Sequence, residues 1–144
     1  MCLDKIDDRV KSAFKVRKSD GALYGWKLFD VEADGLHAFV QGDKQRANRW
    51  LKSKGKFLFA RNGKYKVGFH IFARRADAVR LKKYWGWLDG PVVIRKVALR
   101  GKCMFGTERD PFNKGRASTV AVASGMLIPP LKKKGAKQGV LSGQ

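Results

Sequence analysis

The chain has 144 residues, of which 44% are apolar, and it carries 32 lysine and arginine residues against 12 aspartate and glutamate residues. This apolar content excludes a disordered protein, and the length suits one domain with a core of its own. The longest apolar-leaning stretch, residues 120–131, is broken by two prolines and is well short of the roughly 20 residues that span a bilayer. Because the N-terminal sequence MCLDKIDDRV mixes charges and has no apolar signal region, we expect a cytoplasmic protein that does not enter a membrane.

The positive charge is distributed unevenly along the chain. Residues 1–43 contain seven basic and eight acidic side chains, whereas residues 44–144 contain 25 basic and four acidic ones. The formal net charge of +20 favours partners that are rich in phosphate or carboxylate groups. The second two-thirds of the chain should therefore supply the binding surface.

The cysteines and histidines are isolated in the sequence. Cys2, Cys103, His37 and His70 form no C-x-x-C or H-x-x-x-H pattern, the spacings that organise tetrahedral metal sites. We expect His37, in the predicted loop, to have no companion acid or cysteine. We therefore predict no metal and no cofactor. A disulfide between the two cysteines is disfavoured in a reducing compartment.

Turn sequences and hydrophobic periodicity divide the first half of the chain into two hairpins and a short helix. Ser19-Asp20-Gly21 and Asn62-Gly63 supply turn chemistry between runs in which apolar and polar residues alternate. Asp43 is a suitable N-cap for the helix-tolerant run that follows it. The predicted elements are a hairpin over residues 13–29, a short strand over 36–40, a helix over 43–51 and a second hairpin over 56–72.

The second half of the chain predicts one helix and several strands. Helical periodicity places Ala76, Val79 and Tyr84 on the inward side of the helix. In the strand that begins at Val92 the apolar positions change phase, so either both faces are partly buried or a bulge lies near Arg95. The predicted elements are a helix over residues 74–84 and strands over 92–101, 103–105 and 118–128.

These elements predict an α+β fold, in which an antiparallel sheet of about five or six strands packs with one or two helices. Residues 1–128 should form one basic α+β domain. The remaining residues contain four lysines and no acid. Such a composition predicts a flexible lysine-rich tail over residues 129–144, whose removal should leave the fold unchanged.

Basic residues are concentrated between Lys44 and Lys83, where there are fourteen lysines and arginines and a single acid, Asp77. Aromatic residues are interleaved with them. Cations that neutralise phosphates, next to rings that can stack on bases, favour nucleic-acid binding. The composition leaves open the alternative that the aromatic residues form the core and the lysines keep the protein soluble. Helical spacing assigns phosphate contacts to two groups of side chains, Arg46 with Arg49, and Arg74 with Arg75 and Lys82.

A catalytic role would have to rest on His70 or Cys2. His70 closes a strand-like run, and its nearest downstream acid is Asp77, but one such pair does not specify a reaction. Removal of Met1 would give Cys2 a neighbouring α-amino base, as in N-terminal nucleophile enzymes, yet the supporting sequence pattern is missing. We predict a structural His70 and a non-enzymatic protein, with a small transferase or hydrolase as the remaining alternative.

The order of MCL at the start, YKVGFHIF before a helix, and VVIRKVALRGKCMFGTE resembles a group of small uncharacterised proteins of tailed phages and prophages. The resemblance covers about residues 1–128 and implies no activity. It implies a phage or prophage origin, a location in the host cytoplasm and a role against a host system. The placement of positive charge, and not this resemblance, leads us to expect a protein that binds nucleic acid or another phosphate-rich partner. The alternative is an anti-defence protein that binds an acidic host protein or a nucleotide signal.

Overall fold

The computed structural model describes residues 3–38, 44–53, 57–66, 68–84, 91–109 and 116–130. In chain order the elements are β1 (Lys5–Ile6), a 3-10 helix (Asp8–Ala13), β2 (Lys15–Val16), β3 (Leu23–Glu32), β4 (Gly35–Ala38), β5 (Lys44–Gln45), β6 (Trp50–Lys52), β7 (Phe57–Ala60), β8 (Gly63–Lys66), β9 (Phe69–Phe72), α1 (Arg75–Tyr84), β10 (Val92–Arg109) and β11 (Ala117–Leu127). Antiparallel sheets with two helices confirm the predicted α+β fold. The described residues contain more strands than the five or six expected.

The main sheet contains nine of these strands, and their pairings close into a ring. β10 pairs with β11, β11 with β9, β9 with β3 through the bridge from Trp26 to Phe72, and β3 again with β10. Gly25 permits this closure, because a β-carbon at that position would lie 2.4 Å from Cδ1 of Ile71 and 2.7 Å from the carbonyl oxygen of Phe72. Closure gives the sheet an inner face and an outer face. β7 and β8 form a separate hairpin.

Each face of the ring carries its own hydrophobic cluster. The inner cluster includes Phe29, Ile71, Val97, Leu99 and Ala121. The outer cluster includes Leu28, Phe72, Ile94, Val120 and Val122. Ala78 and Leu81 of α1 and Tyr65 of β8 pack on the outer cluster. Burial of a Val, Leu, Ile or Phe side chain contributes about 1.5–3 kcal/mol, so both clusters stabilise the ring. Elsewhere on the outer face, Lys96 and Arg100 of β10 are exposed.

β10 is one continuous strand with a bulge between Arg100 and Cys103. Gly101 occupies the bulge with a φ of +95°, a conformation that favours glycine. From Val92 to Leu99 the register with β3 is unbroken. The phase change in this sequence therefore reflects partial burial of both faces, and the alternative of a bulge near Arg95 is wrong. The strand predicted over residues 103–105 is part of the same β10.

The helix predicted over residues 43–51 is wrong in its described part. Lys44–Gln45 is β5 and pairs with β4, while Trp50–Lys52 is β6 and pairs with β11. Between them Asn48 has a φ of 62°, which is incompatible with a helix. Pairing with two strand edges outweighs the weak helical propensity of this run. Arg46 and Arg49 consequently do not share a helical face.

The other local predictions agree with the structure more closely. β2 and β3 form the first hairpin, and β7 and β8 form the second, whose two-residue turn is Arg61-Asn62 rather than Asn62-Gly63. The single strand expected after that turn is divided into β8 and β9. β4 and β11 match the strands predicted over residues 36–40 and 118–128 within the described residues. The tail beyond Pro130 lies outside them.

α1 confirms the helix predicted over residues 74–84, but its buried side differs from the prediction. Asp77, Ala78 and Leu81 are the buried residues of its described part. The buried side of the helix is rotated relative to the predicted one, because the carboxylate of Asp77 is buried at an inward position. Of the residues predicted to face inward, Ala76 is exposed and Val79 is half-buried, and the side chain of Tyr84 lies outside the described part of the chain. Among the described helices, none has the length and apolar character needed to cross a membrane.

Candidate nucleic-acid interface

Five strands contribute to one row of side chains on the outer face of the ring. The register aligns Lys15 of β2 with Tyr24 of β3, Tyr24 with Ala98 of β10, Ala98 with Leu127 of β11, and Leu127 with Trp50 of β6. Directly paired residues project from the same side of a sheet, so these five side chains share the outer face. Residues two positions away in each strand extend the row.

Aromatic rings in and beside this row are contacted by cations. Tyr24, Trp26 and Trp50 are half-buried, so part of each side chain remains accessible. We call these rings and their cations the aromatic–basic face. Measured to the ring centroid, its four cation–ring contacts are Arg100 to Trp50 at 4.0 Å, Lys96 to Tyr24 at 4.4 Å, Arg75 to Trp26 at 5.9 Å and Arg17 to Trp50 at 6.0 Å.

The strands position these cations by alternation. Lys96 and Arg100 lie on the same side of β10 as Ala98, whereas Val97 and Leu99 point into the inner cluster. Both cations are exposed, as are the neighbouring Lys15 and Lys52. The face therefore combines exposed positive charge with accessible ring surface.

One acidic residue moderates the charge of the face. Asp20, in the β2–β3 turn, accepts a hydrogen bond from Nε of Arg17 at 2.9 Å. This hydrogen bond, together with one from the Ala22 backbone and the charge of Arg100, lowers the pKa of Asp20 to about 2. Asp20 is thus ionised at neutral pH and orients Arg17 beside Trp50.

The residues predicted from the sequence to contact phosphates are distributed over four places. Arg75 lies on the aromatic–basic face through its contact with Trp26. Arg74 is exposed in the bend before α1, and Lys82 is half-buried two turns after Arg75 on the same side of the helix. The remaining two are separate from each other, since Arg49 is exposed in the bend before Trp50 and Arg46 lines a different groove.

Most of the residues that form this face were not predicted from the sequence. Arg17, Lys96 and Arg100 lie outside the basic stretch from Lys44 to Lys83 that the composition singles out. The signal available in the sequence was the alternation of side chains along a strand, because cations at alternate positions project from the same side of the sheet. This alternation does not show which side of the sheet is the outer one, because that depends on closure of the ring.

His70 is 4% exposed and belongs to a buried hydrogen-bonded chain. Its Nε2 lies 3.4 Å from the hydroxyl of Tyr65, which accepts a hydrogen bond from the backbone N–H of Leu3 at 2.8 Å. The ring also hydrogen-bonds the Gly68 backbone, and burial, followed by the charge of Lys27, lowers the pKa of His70 to about 3. A neutral imidazole that links the N-terminal segment to β9 accounts for these contacts without a catalytic role.

Lys27 is buried beside the same histidine. Its Nζ donates a hydrogen bond to the carbonyl oxygen of His70 at 3.1 Å. Burial lowers the pKa of Lys27 to about 8, and the charge of Glu108 opposes that change. This hydrogen bond joins β3 to β9 beside the bridge from Trp26 to Phe72.

Two carboxylates lie beneath α1. Asp77 is 3% exposed and accepts a hydrogen bond from Arg80, while its Oδ2 and the Oε2 of Glu108 are buried without a hydrogen-bond partner in the described residues. Both line a small cavity with Ser118. Burial raises the pKa of Glu108 to about 7. The two carboxylates thus lie on either side of the contact between α1 and the sheet without a hydrogen bond between them in the described residues.

His37 and Cys103, which are isolated in the sequence, have defined neighbours or burial in the structure. His37 does have an acidic companion, because its Nε2 lies 2.7 Å from Oδ1 of Asp34, so the expectation of an isolated side chain is wrong. Cys103 is a half-buried free thiol whose pKa is raised by burial. Cys2 lies outside the described residues. Within them, no three His, Cys, Asp or Glu side chains are grouped to hold a metal ion.

Comparison with known proteins adds no assignment to this geometry. The sequence matches no protein-family model, and no curated protein or solved structure matches it. The function must therefore be inferred from the side chains of the chain itself.

Proposed function

We propose that this protein binds single-stranded nucleic acid through the aromatic–basic face. The observation that carries the proposal is the presence of three half-buried rings, each with a cation against it, on the outer face of the sheet, where Lys96 and Arg100 are exposed. Cations neutralise phosphates, while rings and guanidinium planes stack on bases. Each stacked base contributes about 1–3 kcal/mol to binding.

The arrangement favours a single strand over a duplex. Rings embedded in a sheet can stack only on bases that are not already stacked within a double helix. From Tyr24 to Trp50 the row crosses three strand spacings, roughly 14 Å in total, which suits contact with a few nucleotides. Contacts of this kind read little sequence, so we propose broad specificity among DNA or RNA strands.

Strand binding of this kind needs no enzymatic step. It also fits the phage resemblance, under which the protein would act on nucleic acid in the cytoplasm of a host cell. A basic surface of this kind could equally contact an acidic protein, but ring stacking distinguishes the two partners because carboxylates offer no aromatic plane.

The experiment is a titration of a fluorescently labelled single-stranded oligonucleotide at several salt concentrations. Replacement of Arg17, Lys96 and Arg100 together by glutamine should weaken binding and flatten the log–log salt slope by about 0.7 for each phosphate that the variant no longer neutralises. The matched control replaces Lys132, Lys133 and Lys134, which removes the same charge from the predicted tail. Equal weakening in the two triple variants would show that attraction is diffuse and that the face is no site.

A third variant tests the helix separately. Replacement of Arg74, Arg75 and Lys82 by glutamine should weaken binding less than the first triple variant does, because only Arg75 contacts a ring of the face. A larger effect would move the principal phosphate contacts to α1. Circular dichroism of all three variants checks that each remains folded.

A further inference from the structure

A second group of cations lines a groove of about 480 Å³ beside the paired strands β4 and β5. Cations of three residues, Lys44, Arg46 and Arg95, line it together with the carboxylate of Asp34 and the ring of Pro130. The volume falls in the range of about 300–1,000 Å³ that is usual for small-molecule sites. The groove is separate from the rings of the aromatic–basic face.

Arg95 projects from the inner side of β10 and is half-buried. Its guanidinium donates a hydrogen bond to the carbonyl oxygen of Pro129 at 2.5 Å. No other described hydrogen-bond acceptor engages it, so its remaining N–H groups are available to a ligand or to water. The guanidinium is thus held in place by one backbone contact and directed toward the groove that it lines.

The charge surrounding Arg95 favours an anion. The residue directly opposite it on β3 is Lys27, which is buried, and like charges in direct register destabilise an antiparallel pair. Among the described residues, no carboxylate oxygen lies within 4.0 Å of either cation. An anion bound at Arg95 would offset this repulsion, and Arg46 lies in the same groove to share its charge.

Asp34 gives the groove a second recognition element. Its Oδ1 lies 2.7 Å from Nε2 of His37, and its Oδ2 lies 3.6 Å from Nζ of Lys44. The hydrogen bond from His37 lowers the pKa of this carboxyl, so it is an ionised acceptor at neutral pH. A carboxylate repels a simple anion but accepts hydrogen bonds from hydroxyl and amino groups.

We propose that the groove binds a nucleoside phosphate, with the phosphate on Arg46 and Arg95 and a sugar hydroxyl or base amino group on Asp34. A nucleotide offers both an anion and neutral hydrogen-bond donors, and it fits a volume of this size. The ligand has two sources, a free nucleotide or the terminal nucleotide of a strand. This site goes beyond strand binding at the aromatic–basic face.

The test uses calorimetric titration of the whole protein with ATP, inorganic pyrophosphate and a short oligonucleotide that carries either a 5′-phosphate or a 5′-hydroxyl. Arg46→Gln should weaken ATP binding about tenfold or more, since a charged hydrogen bond is removed. Arg61→Gln, which removes the same charge from the exposed β7–β8 turn, should leave it unchanged. Asp34→Asn should weaken ATP more than pyrophosphate, because pyrophosphate has no sugar or base.

The source of the ligand follows from the oligonucleotide pair. Tighter binding of the 5′-phosphorylated strand, abolished in Arg46→Gln, identifies a strand terminus, whereas saturable binding of ATP with no difference between the strands identifies a free nucleotide. Absence of saturable binding of all probes, or equal weakening in Arg46→Gln and Arg61→Gln, would overturn the proposal. The variant lacking Arg17, Lys96 and Arg100 should still bind ATP, so failure of the face and failure of the groove are distinguishable.

Discussion

Replacement of Lys27 by methionine should remove a pH dependence that this buried lysine imposes on stability. Lys27 is 8% exposed, and its Nζ donates a hydrogen bond to the carbonyl oxygen of His70. Methionine has a similar unbranched length and no charge. The comparison therefore isolates the ammonium group while the volume inside the sheet is nearly conserved.

The magnitude follows from the shift of the Lys27 pKa from 10.5 to about 8. Between these two pH values the unfolded chain binds a proton at this position and the folded chain does not, so the free energy of unfolding rises with pH. A shift of this size corresponds to about 3 kcal/mol at 1.36 kcal/mol for each pKa unit. Below pH 8 the full cost of the buried ammonium is present, and above pH 10.5 it is gone.

The assay is urea denaturation of the wild type and Lys27→Met at intervals between pH 7 and pH 10.5. Stability of the wild type relative to the methionine variant should increase by about 3 kcal/mol across this range. The variant corrects for the other lysines, which lose their mutual repulsion over the same interval. Parallel curves for the two proteins would refute the reasoning, because Lys27 would then ionise in the folded protein with its ordinary pKa.

Three further changes test the ring and its buried polar groups. His70→Asn should lower stability but leave oligonucleotide binding nearly intact, and it should reduce the loss of wild-type stability as pH falls from 6.5 toward 3, measured by denaturation. Gly25→Ala should cost about 1–3 kcal/mol in the same assay, because its methyl group would collide with the Phe72 carbonyl. Glu108→Gln should remove a decrease in stability that the wild type shows between pH 4.5 and 7, since the folded carboxyl keeps its proton in that interval.

Elements with local sequence signals were the predictable part of the fold. Asn62 sits in the two-residue turn of the β7–β8 hairpin, and the periodic run that forms α1 was located to within one residue. Both depend on interactions between residues that are close in the chain. The α+β class follows from such elements without knowledge of how they assemble.

Closure of the ring was not predictable from the sequence, because it depends on pairing between distant strands. Trp50 lies in a run with helical character, and only its pairing with Leu127 makes it part of a strand. Gly25 permits the closure through the absence of a side chain, which leaves no periodic signal. The burial of Lys27 was equally unpredictable, because a lysine in an alternating strand is expected on the exposed face.

The types of residue in the candidate site were predictable from the sequence, but the identity of most of its residues was not. Basic and aromatic residues were expected to act together, and Arg75 with Trp26 is one such pair. Tyr24 and Lys96 are 72 positions apart in the numbering and meet through the β3–β10 register. Their association depends on the β3–β10 pairing, and that of Trp50 with Arg100 depends on the β6–β11 and β10–β11 pairings.

The most direct test of strand binding is photocrosslinking of a single-stranded oligonucleotide that contains a photoreactive base, followed by mass spectrometry of the crosslinked peptides. Stacked bases react with the side chains that they contact, so we expect crosslinks at Tyr24, Trp26 and Trp50 and their disappearance when the Arg17, Lys96 and Arg100 triple variant is used. Crosslinks confined to residues 131–144, or retained fully by that variant, would contradict binding at the aromatic–basic face.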